Sequence, residues 1–193
     1  MGLVSLFAGY NFQLGQRYIL GGQFEGSIGS LPFRASGTEA GTRDRVSLPS
    51  GQSILNYPFF QRRVVATTVN WMATILGRGG LIVGENTLIY GLGGFGLAVH
   101  NYFNTGVPSQ GKPVSIGKAW VAGVGIEQKI SSNWSWRAEY RRVQFFPISV
   151  NSYNSSEPFY PSDLTRYHET VSSRTTMRHS ADLFRIGLAY SLN

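Results

Sequence analysis

The sequence contains no cysteine, so neither a disulfide framework nor a thiolate metal site can form. Charge is also scarce, because Asp, Glu, Lys and Arg make up 14% of residues against about 25% in typical soluble domains. No apolar run approaches the roughly 18 residues that a membrane-spanning helix needs. The first residues, MGLVSLFAGYNF, lack the basic region and cleavage site of a secretory signal peptide. These absences exclude a disulfide-stapled scaffold and a helical membrane protein.

What the chain does contain is glycine, aromatic residues and an excess of positive charge. Its 193 residues suit a single domain. It has 24 glycines, 13% aromatic residues and a formal net charge of +7. Basicity of this kind permits nucleic acid, anionic lipid or an acidic polysaccharide as a partner.

Apolar and polar residues alternate with a period of two along most of the chain, which predicts β-strands. In the clearest case, Trp134, Trp136, Ala138 and Tyr140 alternate with Ser135, Arg137, Glu139 and Arg141. Helical periodicity is nearly absent. The predicted strands are 3–13, 18–29, 62–76, 87–102, 116–130, 134–146 and 182–192.

The connections between these strands alternate in length. Segments 13–17, 77–86 and 131–133 are short, whereas 30–61, 103–115 and 147–181 are long, polar and predicted to be loops. Short turns on one rim and long loops on the other are typical of an outer-membrane barrel. The predicted fold is therefore an all-β, antiparallel, up-and-down transmembrane β-barrel with long extracellular loops.

Charged residues recur on the polar face of the predicted strands. Only closed barrels let β-structure cross a bilayer, and side chains fill the interior of a small barrel. Buried charges must pair because an unpaired one is costly. We therefore expect an interior ionic network, which we call the lumen charge network, with a structural rather than a transport role: Glu25, Glu127, Arg137, Glu139, Arg141 and Arg185.

Aromatic residues are predicted to form two girdles where the barrel meets the two membrane surfaces. If the short turns face the periplasm, one girdle comprises Tyr10, Phe12, Tyr18, Tyr90, Trp134 and Tyr190. The other comprises Phe60, Tyr102, Phe103, Phe145 and Phe146.

A second set of charged residues is expected near the extracellular rim, at the depth of lipopolysaccharide phosphates. Arginine side chains suit phosphate geometry. We hypothesise that this set, the basic rim, binds lipopolysaccharide head groups; a solvated collar is the alternative. Its members are Arg62, Arg63, Lys112, Lys118, Arg141, Arg142 and Arg178.

Several segments resemble a known family. GYNFQLG, GLGGFG, VGIEQKISSNWSWRAEYR and the closing FRIGLAYSL are similar to segments of the small, porin-like outer-membrane β-barrel proteins of alphaproteobacteria. These are eight-stranded and similar in architecture to the OmpA membrane domain. The resemblance implies a Gram-negative outer-membrane location, insertion by the barrel-assembly machinery, and neither a catalytic site nor a cofactor. Members of the family are described as surface antigens, structural proteins or narrow porin-like proteins.

The strand count raises a separate expectation. Single-chain barrels have an even number of strands and both termini in the periplasm, whereas seven strands are predicted here. We therefore expect residues 1–193 to be one barrel domain that lacks its first strand and signal peptide.

Other functions remain open at this point. A narrow pore is the first alternative, and a lipid-modifying enzyme with a Ser–His pair at the outer rim is the second. A soluble ligand-binding barrel is the third. His100, His168 and His179 lack a metal-ligand spacing and are expected to be exposed in loops. The basic segment 166–180 could touch nucleic acid or polysaccharide, but a mobile surface loop is the preferred interpretation.

Overall fold

A computed structural model describes residues 2–47, 53–103, 114–156, 159–160 and 165–192 of the chain. Within these ranges no helix is long and apolar enough to cross a bilayer. The strands are β1 (Leu3–Leu14), β2 (Tyr18–Ser47), β3 (Ser53–Val83), β4 (Thr87–Phe103), β5 (Val114–Lys129), β6 (Trp134–Phe145), β7 (Ile148–Ser156), β8 (Phe159–Tyr160), β9 (Thr165–Arg178) and β10 (Ser180–Tyr190).

The chain divides into two compact units. Unit 1 comprises Met1–Phe33, Ala66–Phe146 and His179–Asn193, and unit 2 comprises Arg34–Val65 and Pro147–Arg178. The long strands β2 and β3 contribute to both units.

Unit 1 is a seven-stranded meander in the order β10-β6-β5-β4-β3-β2-β1. The registers are antiparallel for β1 with β2, β3 with β4, β4 with β5, β5 with β6 and β6 with β10. The end of β3 lies beside the start of β2, where Ile82 N–H donates to the Arg17 carbonyl at 2.7 Å, so this pair is antiparallel too. The all-β, antiparallel, up-and-down fold is confirmed.

Short turns connect the strands at one end of unit 1. Gly15 (φ 67°) lies between β1 and β2, and Gly84 (φ 68°) lies between β3 and β4. Glycine suits these positions because other residues adopt positive φ at a steric cost. Residues 131–133 link β5 to β6, and Ser191 N–H donates to the Asn133 carbonyl at 2.8 Å. β10 therefore ends at the same rim, which we call the short-turn rim.

The two faces of the unit 1 sheet differ sharply. Large apolar side chains are exposed on the outer face, including Leu6 (83%), Ile186 (76%) and Phe184 (73%). Charged and polar side chains are buried on the inner face, including Glu25 (0%) and Arg141 (1%). This arrangement reverses the usual distribution of a soluble protein, in which charged residues are almost never fully buried.

One strand departs from simple alternation. The sequence places Val69 on the same face as Trp71, but the register between β3 and β4 shifts between these two residues. A bulge adds one residue to a strand and so exchanges its faces. Val69 is therefore buried while Trp71 is 42% exposed, so strict alternation does not hold across Asn70.

Unit 2 corrects the prediction that 30–61 and 147–181 are loops, because the described parts of both segments are largely strand. Ser36–Ser47 of β2 pairs with Tyr167–Arg178 of β9, and β7 pairs with the other edge of β9. Backbone hydrogen bonds hold such a ladder whatever the side chains are. The sequence here is rich in Ser, Thr and Asn, so the apolar alternation used to predict strands is missing. Residues 104–113, which belong to the remaining predicted loop at 103–115, lie outside the described ranges.

Candidate functional site: the lumen charge network

The interior of unit 1 is organised around the fully buried carboxylate of Glu25 on β2. Its Oε2 atom lies 3.0 Å from Nη1 of Arg141, and Oε1 forms an ion pair with Arg185. Gln23 Nε2 and Ser27 Oγ each donate a hydrogen bond to this carboxylate at 3.1 Å. Alternation places all three β2 side chains on the inner face, two residues apart. Glu25 thus has partners on β6 and β10 as well as on its own strand.

Arg141 on β6 connects Glu25 to a second buried carboxylate, Glu139. Arg141 Nη2 lies 2.6 Å from Glu139 Oε2. Both contacts of Arg141 are buried ion pairs. Glu139 also accepts a hydrogen bond at 2.6 Å from the hydroxyl of Tyr90, which enters the interior from β4. The pairing therefore spans the inside of the curled sheet.

Arg137 is the next inward residue of β6 after Glu139 in the direction of the short-turn rim. It contacts an amide, a carboxylate and an aromatic ring. Its Nη1 donates to Gln23 Oε1 at 3.0 Å, and its Nε lies 3.8 Å from Glu139 Oε1. Its Cζ atom lies 3.4 Å from the centroid of the Phe7 ring, a cation–π contact. Phe7 breaks the polar pattern of the inner face of β1, and this contact explains why an aromatic residue fits there.

Glu127 belongs to a separate group near the short-turn rim. Its Oε2 accepts from Arg78 Nη1 at 3.1 Å and its Oε1 accepts from Ser135 Oγ at 2.8 Å. Arg78 Nε also donates to Asn11 Oδ1 at 2.8 Å. The expectation that Glu127 pairs with the other members of the network was wrong. Arg78 was not predicted as a partner because residues 77–86 were assigned to a turn, whereas β3 continues to Val83.

Two glycines on β5 make room for this interior. A Cβ atom at Gly125 would lie 2.6 Å from Cζ of Tyr90, and one at Gly123 would lie 2.3 Å from the Tyr140 carbonyl oxygen and 3.1 Å from Cγ of Arg141. A side chain at Gly125 would collide with the Tyr90 ring, and one at Gly123 would collide with the backbone of β6 beside Arg141. Glycine in a strand often marks such a close approach.

We call Glu25, Arg137, Glu139, Arg141 and Arg185 the central ionic cluster. It holds three arginines and two glutamates, and the buried Gln23, Ser27 and Tyr90 supply further hydrogen bonds. Within the part of the chain that the structure describes, no group of three or more His, Asp or Glu side chains could hold a metal ion. The arrangement is suited to filling and bracing the interior.

The members of the basic rim differ in environment. Lys118 is exposed on unit 1, and Arg142 is half-exposed with Nη1 3.1 Å from Asp182 Oδ1. Arg62 and Arg178 are exposed in unit 2. Arg141 lies in the buried central ionic cluster, so its assignment to the rim was wrong. Lys112 and the side chain of Arg63 lie outside the described residues.

Most of the aromatic residues assigned to the short-turn rim are exposed on the outer face there: Tyr10, Phe12, Tyr18, Trp134 and Tyr190. Tyr90 and Phe145 were wrongly assigned to girdles, because both are 3% exposed. Tyr90 faces the interior because its hydroxyl has a buried acceptor in Glu139. Among the residues assigned to the other girdle, Phe146 is exposed in unit 1 and Phe60 is exposed in unit 2, whereas the side chains of Tyr102 and Phe103 lie outside the described residues.

Two of the three histidines are buried rather than exposed in loops. His100 is 0% and His179 is 6% exposed, and their ring centroids lie 4.9 Å apart. Phe145 packs against both rings. His100 is inward because it continues the alternation of Leu92 and Ala98 on β4. The side chain of His168 lies outside the described residues.

Unit 1 is thus an antiparallel meander whose outer face is apolar and whose interior is ionic. No family model and no curated protein matches the sequence. Among solved structures, the Ail attachment invasion locus protein of Yersinia pestis, in complex with the heparin analogue sucrose octasulfate, has 11% identity and a TM-score of 0.30; the match covers 75% of this chain and 98% of that one. The outer membrane protease OmpT from Escherichia coli has 12% identity and a TM-score of 0.35, with 97% and 62% covered. The P. putida toluene transporter TodX has 12% identity and a TM-score of 0.25, with 96% and 48% covered.

Proposed function

We propose that this chain is an outer-membrane β-barrel protein of a Gram-negative bacterium, with a structural or surface-exposed role and no catalytic activity. The single observation that carries the proposal is the reversal of polarity in unit 1, where apolar side chains lie outside and ion pairs lie inside. Water would not favour this arrangement, since every exposed apolar side chain forgoes burial. Hydrocarbon favours it, because lipid tails solvate the outer face and the inner charges satisfy one another.

The interior favours a closed lumen over a narrow channel. Ion permeation needs a continuous polar path that water can enter. Glu25, Glu139 and Arg141 are each at most 2% exposed and pair across the inside of the sheet. Side chains held in this way act as a plug, as in other small barrels whose interiors are filled.

The outer surface supports a role for membrane lipid as a partner. Lys118 is opposite Leu97 across the β4–β5 pair, next to the apolar pair of Phe95 and Trp120. A cation at the margin of an apolar face suits a lipid with an anionic head group, such as lipopolysaccharide. Arg142 is a weaker candidate than Lys118 because Asp182 already accepts from it.

The proposal is tested by electrophoresis of protein extracted from native membranes with detergent, run boiled and unboiled in SDS. A barrel resists unboiled SDS and migrates as a compact, faster band, so a heat-dependent shift is the expected result. Recovery of the protein in the soluble fraction, with no shift, would refute membrane insertion and favour the soluble barrel.

A further inference from the structure

The first and last strands of unit 1 leave two unpaired edges that face one another. Among the described residues, β1 pairs with β2 and β10 pairs with β6, and no backbone pairing joins β1 to β10. Between them is a cavity of about 320 Å³, lined by Ser5 and Phe7 of β1, Arg185 and Gly187 of β10, and Arg137 and Glu139 of β6. A second cavity of about 200 Å³ shares Leu3, Phe184 and Arg185 with the first. We call this gap the seam.

The directions of the two strands determine what can close the seam. Each neighbouring pair in the seven-stranded meander is antiparallel, so β1 and β10 run in the same direction, and both end at the short-turn rim. Direct pairing between them would interrupt an otherwise antiparallel sheet with one parallel ladder. A single strand that runs from the short-turn rim towards the opposite rim would be antiparallel to both neighbours.

We infer that the seam is a binding site for one extended peptide segment other than the described strands, and that this segment completes the sheet by pairing with β1 and β10 together. The inference rests on the proposed membrane insertion, since unpaired edges are tolerated far less in lipid than in water. β1 has 12 residues and β10 has 11, which matches the roughly 10 residues of a membrane-spanning strand.

The side chains along the seam specify the chemistry of the missing strand. Val4, Phe184 and Ile186 are exposed on the outer face beside it, so the outward residues of the strand should be apolar. The inner wall carries Arg137, Glu139 and Arg185, so the inward residues should be small or polar. Strand addition to a sheet edge obtains its affinity from backbone hydrogen bonds and its specificity from alternate side chains.

Two other occupants fit the seam less well. A lipid acyl chain has no donors or acceptors for the backbone groups of the two edges, which would remain unsatisfied in hydrocarbon. A second copy of this chain, inserted with the same orientation, presents its own β1 and β10 in the same direction as the first. Its edges could therefore form only parallel pairs across the seam.

The experiment uses the full chain folded in detergent micelles and a synthetic 10-residue peptide that alternates apolar with small polar residues. Amide hydrogen exchange is followed with and without the peptide. We expect slower exchange in Leu3–Leu14 and Ser180–Tyr190, and no change in β4, which is paired on both sides. A peptide of the same composition in scrambled order is the matched control.

Cysteine cross-linking determines the strand direction, since the chain has no native cysteine. Val4→Cys and Phe184→Cys should each form a disulfide with a peptide that carries cysteine at its C-terminal end, and not with one that carries it at its N-terminal end. Phe95→Cys, which is also exposed but lies on β4, should form none. Equal protection by the scrambled peptide, the opposite cross-linking pattern, or a doubled mass without peptide would each overturn the inference.

The same data separate this inference from the proposed function. If the amides of β4 exchange freely in micelles, the chain has not folded there and the membrane proposal fails. If they are protected while β1 and β10 are unaffected by the peptide, the membrane proposal stands and the strand site is wrong.

Discussion

At the scale of single residues, the adjacent arginines Arg141 and Arg142 face opposite sides of β6. Arg141 is 1% exposed between Glu25 and Glu139, whereas the side chain of Arg142 is 49% exposed beside Asp182. Removal of one partner from a buried ion pair leaves an uncompensated charge, whereas an exposed pair contributes little. The guanidinium group of Arg141 should therefore contribute far more to the stability of the folded protein than that of Arg142.

We predict that Arg141→Leu lowers the free energy of unfolding by about 3–5 kcal/mol. Arg142→Leu, the matched control, should change it by about 0–1 kcal/mol. Urea unfolding of the protein folded into lipid vesicles, followed by tryptophan fluorescence, measures both. Equal effects of the two substitutions would mean that Arg141 is not an interior residue.

A second prediction concerns the space left by glycine on β5. Gly125→Ala places a methyl group 2.6 Å from the ring of Tyr90, so that the ring must move away from Glu139. Such overpacking typically costs about 1–3 kcal/mol. Gly91→Ala is the control, because its nearest neighbour would be 3.9 Å away. Thermal unfolding of the two variants should differ, with Gly125→Ala the less stable.

The sequence revealed which residues face inward more readily than which residues pair. Alternation alone placed Glu25, Arg137, Glu139, Arg141 and Arg185 on the inner face, and the structure brings these side chains together. It could not reveal that Glu127 pairs with Arg78, since that contact joins β5 to a part of β3 taken for a turn. It also placed Tyr90 and Phe145 in girdles, because an aromatic residue near a strand end suits either face.

At the scale of elements, the strands of unit 1 were predictable because each has one apolar and one polar face. The pairing of β9 with the second half of β2 in unit 2 was not, because both segments are mostly polar and lie far apart in the sequence. Ser36 pairs with Arg178 across most of the chain, and no local signal marks such a partner. The bulge at Asn70 could not be predicted either, because the sequence does not show which of the two faces Val69 and Trp71 each occupy.

The outer face of β5 provides a test of its surroundings. Val124 is 61% exposed in the middle of the strand and Ile130 is 63% exposed just after its end. Arginine on the lipid face costs about 2–4 kcal/mol at the membrane midplane and about 0–1 kcal/mol near the interface. We therefore predict that Val124→Arg destabilises the vesicle-inserted protein far more than Ile130→Arg does. Equal tolerance of both substitutions would indicate that this face meets water.

At the scale of the whole molecule, the ionic interior predicts a barrel that does not conduct ions. The wild-type protein should give no steady ion conductance in a planar bilayer, because Glu25, Glu139 and Arg141 occupy the interior as a paired unit. Replacement of all three by alanine removes these side chains from the interior and admits water, which can solvate the remaining cations Arg137 and Arg185. We predict that this triple variant conducts.

The control for this measurement is the double variant Arg142→Ala, Asp182→Ala, which removes an ion pair from the outer face and should remain silent. Migration in unboiled SDS establishes that each variant is folded before its conductance is compared. A steady conductance in the wild-type protein, unchanged in the triple variant, would contradict the closed-lumen proposal and favour the narrow channel, since ions would then pass without displacing the paired side chains.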